Sequence, residues 1–350
     1  MSRKKLVAEI AKKAVYGGCI LGGGGGGWIQ RGLERSKLAF DLGQVELVTI
    51  DELADDDYVV CVSSVGAPSA EESYVDSEQL VRTIRRMQQE FDKPIKAIMT
   101  NENGANGTVN GWIQSAATGL PLLDAPCNGR AHPTGTMGSL NLSEIEGYTS
   151  IQTFAGGKGE REVEGTIKAT LNSASSITRQ MSVQAGGTVG VCRNPVQVKY
   201  IKEHAALGGI TQAIGLGEAF FAAEPGIERI RASAQFLNGE VLRSGKITSY
   251  ELSKSGGFDV GVLYIDDLEL TIWNEYMTAE IAGERVGSFP DLIMTFDTKT
   301  GNPLVSAEIK EGMDVTVINV LKENLKLSST MFNEKLLRVI EPIINKKIID

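Results

Sequence analysis

The sequence predicts an α/β protein in which an N-terminal parallel-sheet domain is followed by a second, mainly β domain. In the first 150 residues, short apolar runs typical of buried strands alternate with segments of helical apolar spacing. From about Ser150 the chain is rich in Ser, Thr, Gly and Val, and beyond Gly226 strand patterns dominate. We therefore expect an α/β domain over residues 1–150 and a mixed, mainly β domain with two central helices over residues 151–350.

The N-terminal domain starts with an amphipathic segment that carries Leu6, Val7, Ile10 and Val15, followed by the glycine run Gly22–Gly27. Apolar stripes and strand runs then predict, in order, a helix over 28–40, strands over 45–50 and 58–63, a helix over 76–91, a strand over 95–99, a helix over 106–118 and a strand over 121–123. Ligands of such sheets bind beyond the carboxyl ends of the strands. We therefore expect the polar segments 63–64, 101–106 and 124–136 to form one crevice.

The second domain is predicted from turn signals and short apolar runs. We expect short strands or a turn-rich segment over 166–190, helices over 196–206 and 209–222, and strands over 241–242, 246–252, 258–265, 268–274, 292–297 and 314–320. Glycine-containing turns at 238–239, 256–257 and 301–303 separate several of these strands. The helix over 209–222 has a Gly- and Ala-rich face suited to close packing.

Composition excludes several classes of protein. The net charge of −9 argues against a broad nucleic-acid-binding surface. No apolar run approaches the length of about 18 residues that spans a membrane, and charges interrupt the N-terminal segment where a signal peptide would be apolar, so we expect a cytoplasmic protein. Four well-separated cysteines and two histidines argue against a disulfide framework and a histidine-rich metal centre. No cofactor is required by the sequence, although a carboxylate or mixed site for a divalent metal stays open.

The glycine run is the most unusual stretch of the chain. Glycine loses more backbone freedom on folding than other residues, about 0.5–1 kcal/mol relative to alanine in a regular element, so six in succession indicate close backbone approach or positive φ. In one interpretation the bare N–H groups, continuing into a helix N-terminus, bind an anion or a polar ring. The alternative is a structural turn. In the first interpretation the substrate-binding residues are Gly24, Gly25, Gly26 and Gly27.

A second unusual segment, Asp124–Pro133, is broken by Pro126, Gly129 and Pro133, so it predicts a loop, where functional sites usually lie. Its candidate catalytic residues are Asp124 as a general base on water, Arg130 as a clamp for a carboxylate or oxyanion, and Cys127 as a nucleophile. The Cys127 thiolate would be stabilised by either Arg130 or His132. Asn128 is a candidate substrate-binding amide. The structural alternatives are an ion pair formed by Asp124 and Arg130 and a core position for Cys127.

A third polar segment holds Glu102, Asn103 and Asn106. These side chains are suited to bind a polar ligand, but they are equally typical of an Asx turn followed by a helix cap. The same ambiguity applies to Asn274 and Glu275, which are either part of a site or ordinary turn residues.

Seven motifs in this order resemble the S-methyl thiohydantoin desulfurase family, often found beside or fused to hydantoinase/oxoprolinase-type proteins. They are LGGGGGG from Leu21, GAP from Gly66, GAN from Gly104, LPLLDAPCNGRAHP from Leu120, SGKI from Ser244, WNEYMTAE from Trp273 and PDLI from Pro290. The resemblance implies an α/β domain followed by a mainly β domain and a small five-membered ring as substrate. For S-methyl thiohydantoin it implies water attack at the ring carbon that carries sulfur, with loss of methanethiol to leave a hydantoin.

The resemblance also implies which positions form the site. The matching positions are Gly24 to Gly27, Asn106, Asp124, Gly129, Arg130, Asn274, Glu275 and Asp291. The resulting hypothesis is a hydrolase in which Asp124 activates water, Arg130 and the glycine N–H groups hold the developing negative charge, and Asn106 orients the ring.

Departures from the family pattern support a second hypothesis. Trp28 and Ile29 follow the glycines in place of Asp-Pro, and Pro126, His132 and Thr134 stand where the family has an acid, an aromatic residue and an acid. A non-catalytic ligand-binding or accessory subunit that works with a hydantoinase-type partner would tolerate these losses. A dinucleotide-dependent oxidoreductase ranks third, because no clear strand precedes the glycine run. Self-association into a homo-oligomer is also open.

Overall fold

The structure, a computed structural model, describes residues 3–66, 72–255 and 258–349. The second and third residues of the GAP motif that starts at Gly66, and the whole of the predicted turn at 256–257, therefore lie outside the described residues. The helices are α1 (Ala8–Leu21), α2 (Ile29–Leu42), α3 (Ser77–Glu90), α4 (Trp112–Thr118), α5 (Leu171–Gln184), α6 (Val198–His204), α7 (Gly209–Ala222), α8 (Ile227–Phe236), α9 (Glu334–Arg338) and α10 (Glu341–Ile344).

The first sheet has a parallel centre and antiparallel strands on both sides. Its strands are β1 (Lys4–Lys5), β2 (Glu46–Val48), β3 (Tyr58–Gly66), β4 (Ile95–Thr100), β5 (Leu122–Leu123), β6 (Ser150–Gly156), β7 (Val163–Ala169) and β8 (Thr188–Gln197), in the order β1-β2-β5-β4-β3-β8-β6-β7. Neighbours among β2, β5, β4 and β3 are parallel, and the remaining pairs are antiparallel. The predicted α/β class is confirmed, with a mixed sheet in place of a wholly parallel one.

The antiparallel part of this sheet comes from residues 150–197. Because β6 and β7 are joined by a short connection without a crossover helix, they pair as antiparallel neighbours. The predicted domain division after residue 150 thus falls at the first residue of β6, and the three strands that follow it complete the first sheet.

The second sheet is antiparallel throughout. Its strands are β9 (Glu240–Ser255), β10 (Phe258–Ile265), β11 (Leu268–Trp273), β12 (Glu275–Ile281), β13 (Glu284–Ser288), β14 (Leu292–Asp297), β15 (Pro303–Leu304) and β16 (Asp314–Val320), in the order β13-β12-β11-β10-β9-β16-β14-β15. A mainly β second part is therefore confirmed. The two strands predicted over 241–252 form one long strand, β9.

Helices α1 and α7 pack so closely that glycine is required where they meet. A Cβ on Gly17 would lie 1.8 Å from the carbonyl oxygen of Ala213, and a Cβ on Gly217 would lie 1.9 Å from that of Lys13. The close packing predicted for the helix over 209–222 is therefore present, with α1 as its partner. Since α1 ends at Leu21, this contact also positions the glycine run that follows.

Several segments differ from the predicted secondary structure, and three of them are instructive. Helix α5 lies where short strands were expected over 166–190, because Thr170 caps it by accepting from the Ser173 N–H and its buried stripe consists largely of small and polar residues. Helix α8 falls in the region expected to be mostly strand. Helix α4 begins at Trp112, and residues 106–111 form turns instead of its first part.

Among the described residues, no single helix is long and apolar enough to cross a membrane. Helices α6 and α7 have the necessary length and apolar composition only when they are taken together, and the chain bends by 49° between them.

Candidate active site

A cavity of about 370 Å³ lies beyond the carboxyl ends of the parallel strands β3 and β4, at the place predicted for the crevice. Its walls come from the glycine run, from the ends of β3 and β4, from α5 and β8, and from the second sheet. Of the predicted site residues, the cavity brings together Gly24, Gly25, Gly26, Gly27, Glu102, Asn106, His132, Asn274 and Glu275. Because both sheets contribute, the cavity is complete only when the two parts of the chain are packed together.

The glycine run follows the cavity wall in a path that side chains would block. A Cβ on Gly25 would lie 1.9 Å from Glu275 Oε1. Gly26 has φ of +75°, and a Cβ there would lie 2.4 Å from the Cα of Gly104. Within the described residues, the N–H groups of Gly26 and Gly27 donate to no protein acceptor. These two donors at the cavity wall are therefore free to bind a ligand.

Glu275 is a carboxyl group buried against this loop. Its side chain is 3% exposed, and its Oε2 atom has no hydrogen-bond partner among the described residues. Burial raises the pKa of Glu275 well above its usual range, and the charge of Glu102 raises it further, whereas Arg130 acts in the opposite direction. Burial therefore favours the protonated, uncharged form of Glu275.

Glu102 follows β4 and forms the second carboxyl group of the cavity. Its Oε2 atom lies 3.3 Å from Nε2 of His132, and its side chain is 16% exposed. Burial raises the pKa of Glu102 to about 8, and the backbone of His132 and the charge of Arg193 partly oppose this effect. A carboxyl group with this pKa can exchange a proton near neutral pH.

His132 is neutral in this environment. Burial, together with the charge of Arg193, lowers its pKa to about 3. Gly138 leaves room for the ring, because a Cβ there would lie 2.6 Å from its Cε1 and Nε2 atoms. The imidazole therefore acts on Glu102 as an uncharged neighbour.

The two predicted asparagine ligands at the cavity have different surroundings. Asn106 Oδ1 is buried without a partner among the described residues, and Asn106 packs against Gly27. Asn274 has φ of +59°, and its Oδ1 accepts from the Asp259 N–H at 2.9 Å. Asn106 is thus free to orient a ligand, whereas Asn274 forms a turn that presents Glu275.

Sequence reasoning missed the four arginines that line the cavity. Arg31 and Arg35 come from α2, Arg179 from α5 and Arg193 from β8. The signal for the first two was present, since Arg31 and Arg35 are four residues apart and therefore share one face of the helix after the glycine run. No local pattern marks Arg179 or Arg193.

Asp124 lies outside the cavity, contrary to the expectation that it faces the ring. Its Oδ1 accepts from the N–H groups of Ile210 at 2.8 Å and Thr211 at 3.1 Å, and its Oδ2 accepts from the Thr211 hydroxyl. Asp124 therefore satisfies the free N–H groups at the start of α7. A carboxylate with both oxygens bound in this way cannot also approach a ring in the cavity.

Arg130 also lies outside the cavity, behind the residues that line it. It is fully buried, Nη1 donates to the carbonyl oxygens of Pro290 and Asp291, and the guanidinium lies 4.5 Å from the centroid of the Phe289 ring. A Cβ on Gly23 would lie 2.6 Å from Nη2. Arg130 thus supports the loop from below and affects the cavity through its charge on Glu275.

The remaining three candidates are also buried away from the cavity. Asn103 Nδ2 donates to the carbonyl oxygens of Gly129 and Gly209, and its Oδ1 accepts from Thr108. The hydrogen bond with Cys61, together with burial, raises the pKa of Cys127 well above its usual range, so its thiol is not an activated nucleophile. Asn128 is fully buried and does not line the cavity.

The structure also bears on a metal. In residues 3–66, 72–255 and 258–349 no group of three or more His, Cys, Asp or Glu side chains is arranged to hold a metal ion.

The fold and cavity define a two-part α/β protein with a pair of buried carboxyl groups beneath a glycine loop. Family models described as the S-Me-THD-like N-terminal domain and the S-Me-THD-like C-terminal domain match residues 11–164 and 169–330. The chain therefore belongs to the S-Me-THD-like family, as the seven motifs indicated.

The comparisons with individual proteins add fold similarity only. A crystal structure of a protein from Chromobacterium violaceum is similar over 97% of both chains, with a TM-score of 0.74 and 19% sequence identity. No curated protein matches the sequence.

Proposed function

We propose that the protein is a hydrolase that removes methanethiol from an S-methyl thiohydantoin-like five-membered ring and leaves a hydantoin. Family membership supports a ring substrate of this kind. The observation that carries the proposal is that Glu102 and Glu275 face the same cavity as the free N–H groups of Gly26 and Gly27. Two carboxyl groups with different proton affinities provide a base and an acid in one site.

In the first half of the reaction, the Glu102 carboxylate takes a proton from water as the water oxygen bonds to the ring carbon that carries sulfur. Protonated Glu275 gives its proton to the ring nitrogen as the carbon–nitrogen double bond becomes single. The N–H groups of Gly26 and Gly27 stabilise negative charge that develops on the ring, as an oxyanion hole does. Asn106 orients the ring.

In the second half, the carbon–sulfur bond breaks and the hydantoin carbonyl forms. The hydroxyl proton returns to Glu275, and the proton held by Glu102 passes to the departing methanethiolate. Water and the ring are consumed, hydantoin and methanethiol are released, and both carboxyl groups regain their starting states. This scheme moves the base from Asp124 to Glu102, because Asp124 is bound to α7.

The test is methanethiol release from an S-methylated 2-thiohydantoin, measured with a thiol reagent, with and without added divalent metal. We expect Glu102→Gln and Glu275→Gln each to lower turnover by about 10²–10⁴. The exposed Glu228→Gln on α8 is the matched control and should keep full activity. The rate should rise with pH through about 8 as Glu102 ionises.

Two outcomes would contradict the proposal. Unchanged turnover in Glu102→Gln would remove this residue from the mechanism. A folded protein that releases no methanethiol under either metal condition would favour the accessory role, in which the chain binds a ring for a hydantoinase-type partner. The next measurements would then be pull-down of such a partner, determination of the oligomeric state, metal analysis and a test of the proposed cytoplasmic location.

A further inference from the structure

Arg35 places a buried positive charge in the cavity wall, and no carboxylate of the described residues pairs with it. The residue is 8% exposed, and its Nη1 donates to Ser64 Oγ at 3.0 Å and Asn110 Oδ1 at 3.2 Å. Both acceptors are neutral. Among the described residues, no carboxylate forms an ion pair with Arg35, and its Nε and Nη2 atoms donate to no protein acceptor. A buried cation is costly unless it is paired, so this arrangement favours an anionic ligand.

The neighbours of Arg35 strengthen this argument. Burial, together with the charge of Arg31 on the same helix face, lowers the pKa of Arg35 to about 10. Ser63 also lines the cavity, and its Oγ atom is buried without a hydrogen-bond partner among the described residues. The wall therefore offers a guanidinium with two free donor positions and an unused hydroxyl group.

We propose that Arg35, assisted by Arg31 and Ser63, binds a carboxylate that the ring substrate carries on a side arm. A guanidinium presents its N–H groups in the planar fork that matches the two oxygens of a carboxylate. The inference rests on the proposed function, since the carboxylate is part of the ring substrate. It narrows the substrate class to five-membered cyclic amides or S-methyl thiohydantoins with an acidic arm.

The test compares binding of hydantoin-5-acetic acid with that of its neutral amide, hydantoin-5-acetamide, by isothermal titration calorimetry. We expect the acid to bind more tightly than the amide by on the order of tenfold to a hundredfold. Arg35→Gln should remove this preference, and Arg35→Lys should retain part of it. The exposed Arg231→Gln on α8, which pairs with Glu228, is the control and should leave the preference unchanged.

Asn110→Asp provides a second test that does not remove the arginine. The new carboxylate would lie where Asn110 Oδ1 now accepts from Arg35, and it would neutralise the charge of the guanidinium. The acid should then no longer bind more tightly than the amide. A purely structural role for Arg35 predicts that this variant keeps any preference for the acid. Loss of the preference in both Arg35→Gln and Asn110→Asp supports the inference, whereas its survival in either overturns it.

Two further binding measurements distinguish this inference from its alternatives. Equal binding of the acid and the amide to the unaltered protein overturns the carboxylate subsite even when methanethiol release is observed. Acetate titrated alone should bind far more weakly than the acid, and equal affinity would show a site for free anions instead. Failure of the proposed function is detected independently, by the absence of methanethiol release and of binding by unsubstituted hydantoin.

Discussion

At the scale of single residues, folding and the proposed catalysis place opposite demands on the charge of Glu102. Burial keeps its proton bound up to a pH of about 8, whereas water activation requires the ionised form. The backbone of His132 and the charge of Arg193 partly oppose the effect of burial on the pKa of Glu102. Glu275 has a cationic neighbour in Arg130, but burial and the charge of Glu102 outweigh it and raise the pKa of Glu275 well above its usual range.

The raised pKa of Glu102 predicts a pH-dependent effect of Glu102→Gln on stability. A carboxyl group whose pKa is raised on folding contributes stability that is complete below the unfolded value of 4.5 and is lost as the pH rises through about 8. The loss is about 1.4 kcal/mol per unit of pKa difference. The unfolding free energy of Glu102→Gln, measured by denaturant unfolding, should therefore increase relative to that of the unaltered protein as the pH rises from 5 to 9. Glu228→Gln should show no such gain, and a pH-independent difference would refute the assignment.

At the scale of elements, the Asp124 carboxylate belongs to α7. It binds the N–H groups of Ile210 and Thr211 in the first turn, and a negative charge is favourable at a helix N-terminus. Asp124→Asn should lower the unfolding free energy by about 1–2 kcal/mol, while the folded protein keeps the proposed turnover within severalfold of that of the unaltered protein. Thermal unfolding and the methanethiol assay measure both effects. A large loss of turnover with unchanged stability would instead indicate that Asp124, and not Glu102, is the general base.

The elements also show what sequence patterns can and cannot predict. The start of α3 was predictable because Asp76 and Gln79 form a capping box within four residues. Helix α5 was not, because Leu171, Ala174, Thr178 and Ser182 form its buried stripe and only the first is strongly apolar. The glycine run was predicted to require close backbone approach or positive φ, and both are present. Its partner Glu275, however, is distant in sequence and was indicated only by the family motifs.

At the scale of the whole molecule, the cavity forms only because distant segments meet. Arg35 on α2, Glu102 after β4, Arg193 on β8 and Glu275 on β12 lie on four separate elements. The sequence shows which candidate side chains are present, but local patterns do not show which of them meet in the cavity. For the same reason the segment 124–136 was expected to face one crevice as a unit, whereas its first part supports α7 and the glycine loop and only residues 132–136 line the cavity.

The contact between α1 and α7 holds this arrangement together, and Gly217→Ala tests it. The added methyl group would lie 1.9 Å from the carbonyl oxygen of Lys13, so the helices must separate. We expect a loss of about 1–3 kcal/mol in unfolding free energy, with lower turnover because α1 leads into the glycine loop. Gly215→Ala on the same helix is the matched control, since its methyl group meets only the partly exposed Phe236 ring at 3.0 Å. There alanine should be neutral or stabilising by up to about 1 kcal/mol. Equal destabilisation of both variants would show that the contact with α1 is not what requires glycine at position 217.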